Sequence, residues 1–165
     1  MRFVGRISGG VRMLRNRLVR ARYFRGHGVH SPFVYGLVRE VFMRRTLLPG
    51  GRGLYEALLA EGVSERRAVQ LQNLMIRCGH ATFGMNRADA ELCVATCAAD
   101  AGQLRAMAAA AAAEGRTLVV LAPYAASERM AACRALVAGH RSTSVDNRAY
   151  LLLFNNGLPK QHFRI

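Results

Sequence analysis

Leu92-Cys93-Val94-Ala95-Thr96 and Thr117-Leu118-Val119-Val120-Leu121-Ala122 flank a run of small residues, 101–114, that closes on Gly115. Each flanking segment is a short apolar run, which reads as a strand buried on both faces. Asp100 stands where a helix N-cap belongs, and six consecutive alanines at 108–113 have the highest helix propensity of any residue. Strand, helix and strand in that order require a right-handed crossover and a parallel sheet. Downstream, Ser127 reads as the cap of a second helix that runs to about residue 138 and stops at Gly139. Residues 142–145 and 149–154 read as further strands on either side of the polar turn Asp146-Asn147-Arg148. Asn155-Asn156-Gly157 is a turn, and 161–165 reads as a final edge strand.

Upstream, the texture is helical. Ser31 and Pro32 suit the N-cap and first position of a helix to about residue 45, with Phe33, Val34, Leu37, Val38, Val41 and Phe42 on its apolar face. Pro49-Gly50-Gly51 ends that segment. A helix over 54–61 stops at Gly62, and one over 65–78, capped by Ser64, closes on Gly79 with Val69, Leu71, Leu74 and Met75 buried. Residues 81–84 read as a short first strand. The expected fold is α/β: a mostly parallel sheet with a C-terminal antiparallel hairpin, preceded by N-terminal helices. A basic helical region, 1–79, and a reduced α/β core, 80–165, are expected to pack as one domain.

Charge is unevenly spread. The net charge is +14, and residues 1–52 hold twelve arginines against one acid, Glu40. Phe3, Ile7, Val11, Leu14 and Leu18 recur at helical spacing, so residues 3–23 read as a basic amphipathic helix. It suits either an apolar groove on its own domain or an anionic lipid surface. Arg12, Arg15, Arg17, Arg20, Arg22 and Arg25 are the candidate contacts to a nucleic acid or another anionic partner. A GC-rich genome, which favours arginine and alanine codons, accounts for the same bias without a partner. Aromatic residues are scarce in the basic block, which leaves little surface for base stacking. No apolar run approaches the roughly 20 residues a membrane span needs, and arginines break any signal-peptide core, so the chain reads as cytoplasmic.

No catalytic constellation stands out. Cys78, Cys93, Cys97 and Cys133 form no CxxC pair and read as buried free thiols. His27 and His30, spaced HxxH, are candidate metal ligands, but zinc ordinarily takes three or four; hydrogen bonds that fix the entry to the Ser31-capped helix are the competing role. Gly50-Gly51-Arg52-Gly53 is glycine-rich, yet no strand precedes it as a phosphate loop requires.

The segment His27-Gly28-Val29-His30-Ser31-Pro32-Phe33-Val34-Tyr35 resembles the opening of a bacterial group of class I S-adenosylmethionine (SAM) methyltransferases, in which a basic helix precedes HG[VI]HSPF[VL]. Tyr150 to Phe154, followed by Lys160-Gln161-His162-Phe163-Arg164-Ile165, resembles the closing hairpin of that group. The resemblance implies SAM as cofactor and a Rossmann-like sheet, which in this chain would be incomplete. It also implies an acid and a glycine-rich turn after the first strand, where the backbone approaches the cofactor. This chain has His80-Ala81-Thr82-Phe83-Gly84-Met85-Asn86 there, with one glycine and no acid, so Gly84 and Asn86 are the candidate cofactor contacts. Too few residues separate that segment from Leu92 for two βα units, so the cofactor-binding half reads as deleted. Acids that follow the later strands in the group are replaced by Thr96-Cys97-Ala98 and Ala122-Pro123-Tyr124. Three functions follow from this: a degenerate relative that binds no cofactor and acts as a structural or interaction module, on a protein partner or a second copy of itself; an active methyltransferase with a non-standard site; or a nucleic-acid or anionic-surface binder.

Overall fold

Alternation of apolar side chains between the two faces of each central strand builds the core. The computed structural model describes residues 31–165. Within them lie five helices: α1 (Pro32–Leu37), α2 (Gly53–Ala60), α3 (Glu65–Arg77), α4 (Ala101–Ala113) and α5 (Ser127–Gly139). Six strands, β1 (Phe83–Met85), β2 (Leu92–Ala95), β3 (Thr117–Leu121), β4 (Ser144–Asp146), β5 (Tyr150–Leu153) and β6 (His162–Arg164), form one mixed sheet. Its order is β1-β2-β3-β5-β4-β6.

Leu92, Val94, Val119, Leu121, Tyr150, Leu152 and Phe154 face α1, α2 and α3. Their neighbours in sequence, Cys93, Ala95, Leu118, Val120, Leu151 and Leu153, face α4 and α5. The period of two is the pleat itself. With both faces covered, the strands read as continuous apolar runs rather than as half-polar ones. The α/β expectation therefore holds, and the helices that precede the sheet form one of its two covering layers.

Each helix has a local cause, and three differ from the sequence reading. Ser31 Oγ accepts the Val34 N–H at 3.4 Å and starts α1 as expected. The helix then loosens into a single π turn, Val38–Phe42, and ends there rather than at 45. The buried Gln70 side chain takes the Phe42 carbonyl at 2.7 Å, which fixes the exit of the chain. Ser64 occupies the cap position of α3 but makes no side-chain cap bond, and Ser127 is the first residue of α5 rather than its cap, which is Ala126. Asp100 does cap α4: it accepts the Gln103 N–H at 2.8 Å while Gln103 accepts the Asp100 N–H at 2.9 Å, a reciprocal capping box.

A stripe of amides on α3 secures the irregular segment between α1 and α2. Asn73 accepts from Leu48 N–H at 2.8 Å and donates to the Thr46 carbonyl at 2.9 Å, and Gln72 accepts from Tyr55 N–H at 3.0 Å. Gln70 Oε1 also accepts the hydroxyl of the fully buried Tyr150 at 3.1 Å, tying the helical layer to β5. Without these partners each buried backbone group would carry its desolvation cost. The 65–78 reading of the sequence named the apolar side of this helix and not this polar one.

The expected C-terminal antiparallel hairpin is present, but its strands are β4 and β5, with Val145 opposite Leu152 across the Asp146-Asn147-Arg148 turn, and not 150–154 with 160–165 as the resemblance implies. Asp146 Oδ1 accepts Arg148 N–H at 2.7 Å, and Asn147 Oδ1 accepts Ala149 and Tyr150 N–H, each at 3.2 Å. So short a connection leaves β5 beside β4, and β5 inserts between β3 and β4. Residues 161–165 therefore do not pair with β5. As β6 they lie parallel to β4 on its free side, with Val145 opposite Phe163.

Candidate functional site

In an open α/β sheet, ligands bind in the crevice beyond the carboxyl ends of the strands. Here β1, β2, β3 and β4 run in one direction, so that rim is formed by Asn86, Thr96, Ala122 and Asp146, each at or just past the end of its strand.

At β1 the connection is unusual. β1 and β2 are parallel neighbours, Phe83 opposite Leu92, yet only residues 86–91 join them. Parallel strands ordinarily need a crossover of a dozen or more residues. A three-residue strand is about 10 Å long, so six residues are enough to return to its start. The returning chain passes over Gly84. A Cβ at Gly84 would lie 2.8 Å from Arg87 Cγ and 3.3 Å from Asp89 Oδ1, so the glycine is required by the chain's own loop. Arg87 and Asp89 pair at 3.1 Å above it. Asn86, with φ of 54°, donates to Thr96 Oγ1 at 2.9 Å and accepts the Thr96 N–H at 2.8 Å, which clamps the end of β1 to the end of β2. Both candidate cofactor contacts are thus engaged within the fold.

Between β2 and β3 the crevice is filled by Arg129. It lies in the first turn of α5 and is 8% exposed. Its guanidinium donates to the carbonyls of Ala99 at 2.7 Å, Thr96 at 2.8 Å and Leu121 at 2.9 and 3.1 Å. Carbonyls at strand ends that face a helix start have few other donors, and the planar fork suits three of them at once. Sequence reading passed over Arg129. The signal was its spacing with the buried Ala132 and Cys133, at i, i+3 and i+4, which places an arginine on the inward stripe of α5.

Beyond β3, Ala122 adopts φ of 44°, a left-handed conformation that L-residues other than glycine, asparagine and aspartate rarely take. The turn it opens carries Tyr124, half exposed, whose hydroxyl donates to the carboxylate of Asp146 at the end of β4. That pair holds the 122–126 turn against the β4–β5 hairpin.

The acid and the glycine-rich turn that the resemblance implies are not found at this rim. β1 ends in Met85-Asn86-Arg87 with no acid, the glycine lies under an arginine, and a guanidinium stands where the next strands end. His27, His30 and the six arginines from Arg12 to Arg25, together with the basic helix expected over 3–23, lie outside the described residues. Among the described residues no cluster of three or more His, Cys, Asp or Glu is arranged to hold a metal. No helix there is long and apolar enough to cross a membrane. All four thiols are free; Cys93 and Cys133 are buried as expected, whereas Cys78 is only partly buried and Cys97, in the turn past β2, is exposed. Burial pushes the Cys78 thiol up to about 11 and raises those of Cys93 and Cys133, so these three stay protonated at neutral pH.

His80 and Glu91 guard the opposite, entry end of β1. Glu91 accepts the N–H groups of Ala81 and Thr82, and these bonds hold its carboxyl below the usual range. His80 Nε2 is buried without a hydrogen-bond partner, and burial lowers its basicity, partly opposed by Glu91. A depressed folded pKa means that stability is fully present above the unfolded value and is lost as pH falls through the folded one. Melting temperature is expected to decline first as pH drops below 6.5, through His80, and again below 4.5, through Glu91. In His80→Phe the first decline should vanish, and an unaltered profile between pH 7.5 and 5.5, to be approached in steps of about half a unit, would exclude His80 as its source.

Comparison of the chain with protein-family models, curated proteins and solved structures finds no match.

Proposed function

We propose that this chain is a reduced relative of the class I SAM-dependent methyltransferases whose cofactor crevice is closed by its own side chains, and that it works as a non-catalytic interaction module. The observation that carries the reading is Arg129, which saturates the carbonyls at the carboxyl ends of β2 and β3 where a Rossmann-like sheet receives its ligand. The short β1–β2 connection adds support, since it leaves no room for the strands and helices that would complete a cofactor half. The sheet order is compatible as well: three parallel strands, then an antiparallel strand set between parallel neighbours, with helices on both faces.

Isothermal titration with SAM and with its demethylated product tests the reading directly. A folded sample, checked by near-UV circular dichroism, is expected to give no binding heat up to about 1 mM ligand. A dissociation constant in the micromolar range would overturn the proposal and establish a cofactor site built from other residues.

A further inference from the structure

On the face of the sheet opposite α1–α3, helices α4 and α5 part to leave a half-open groove of about 400 Å³. Its walls are mostly small residues: Ala108, Ala109 and Ala112 on α4, and Ala135 and Gly139 beside Leu136 on α5. Gly139 ends α5, and a Cβ built there meets nothing within 4 Å, so neither a turn nor internal packing requires the glycine. A glycine in a helix weakens it relative to alanine, and here its effect is to keep one wall low. The floor is Leu118 and Leu153, and the rim carries Arg105 and Arg141. Both arginines are exposed, and among the described residues neither makes an ion pair or hydrogen bond. No acidic residue lines the groove.

We infer that this groove docks an acidic amphipathic helix of a partner protein, an apolar ridge seated between α4 and α5 and its flanking carboxylates on Arg105 and Arg141. Small side chains on both walls let another backbone approach closely, and a helix in such a groove is read through residues at i, i+3, i+4 and i+7. Its volume is within the range of ligand pockets, but such pockets bury most of their ligand and this groove is open to solvent. Charge selects among the remaining occupants. Residues 1–30 hold eight arginines and no acid, which the rim repels, and a second copy of a chain with net charge +14 meets the same repulsion.

The inference rests on the interaction-module reading and is tested separately from it. SAM titration decides the module, and the groove is decided as follows. A display library of helical peptides, with leucine and alanine fixed along one stripe and glutamate, lysine or serine randomised beside it, is selected on the full-length protein. Glutamate is expected to enrich beside the stripe, and the selected peptide to bind with a dissociation constant on the order of micromolar by fluorescence anisotropy. Gly139→Leu and Ala109→Gln each place a side chain in the groove from an exposed position, and each should weaken binding about tenfold or more. The double variant Arg105→Ser, Arg141→Ser should weaken it about tenfold at low salt and flatten its salt dependence. Absence of enrichment, equal enrichment of lysine, or an affinity unchanged in Gly139→Leu would overturn the inference. The last result would place the peptide on the arginines of residues 1–30 instead.

Discussion

Replacement of Arg129 by methionine is expected to lower the unfolding free energy by about 3 kcal/mol. Methionine fills much of the volume but donates nothing, so the carbonyls of Ala99 and Leu121 lose the guanidinium and that of Thr96 keeps only the Ala99 N–H at 3.2 Å. Each buried carbonyl left without a donor costs roughly 1–3 kcal/mol, and relief of a buried charge offsets part of the sum. In a chain of 165 residues that corresponds to a fall in melting temperature of roughly 6–12 °C. Arg129→Lys should recover less than half of the loss, because one ammonium cannot reproduce a planar fork. Urea denaturation followed by far-UV circular dichroism measures both. A midpoint unchanged in the methionine variant would mean that water replaces the guanidinium, and Arg129 would then no longer count as the group that closes the crevice.

The second large effect is expected at α1. Val34 is fully buried and Leu37 and Val38 nearly so, all within the cluster that joins the helical layer to β2, β3 and β5. Val34→Asp should cost about 4 kcal/mol or more, since it removes apolar contacts and forces a carboxylate into a site with no partner. Phe33→Asp should cost about half as much. Phe33 is only partly buried, and its ring packs edge-on against Phe154 with centroids 5.0 Å apart. The ordering separates the two positions: equal losses would mean that α1 lies on the sheet with a different face inward from the one described.

The comparison of Phe33 with Val34 shows where sequence reasoning reaches its limit. Helical spacing identified the apolar face of residues 31–45 but not the depth of each residue in it, because depth depends on the partner layer. The same holds on α3. Val69, Leu71, Leu74 and Met75 were legible by period, whereas Gln70, Gln72 and Asn73 are buried because the backbone of 42–55 comes to them across the fold. The HG[VI]HSPF resemblance implied a glycine for close cofactor approach at Gly84. What approaches Gly84 is Arg87, three residues further along the same chain.

By itself the sequence determined the α/β class, the strands at the centre of the sheet and the helices between them. These follow from apolar period, helix propensity and local caps, all of which act over a few residues. The Asp100 cap and the Asp146-Asn147-Arg148 turn were legible for the same reason, though the reciprocal bond from Gln103 was not read. Only the tertiary structure decided which strands are neighbours, that β5 inserts between β3 and β4, and that β6 takes the free side of β4. Only it placed Arg129 across the ends of β2 and β3. Strand order and burial of a charged side chain are set by contacts between residues some thirty positions apart, as Arg129 is from Ala99 and Thr96, and no local pattern records them.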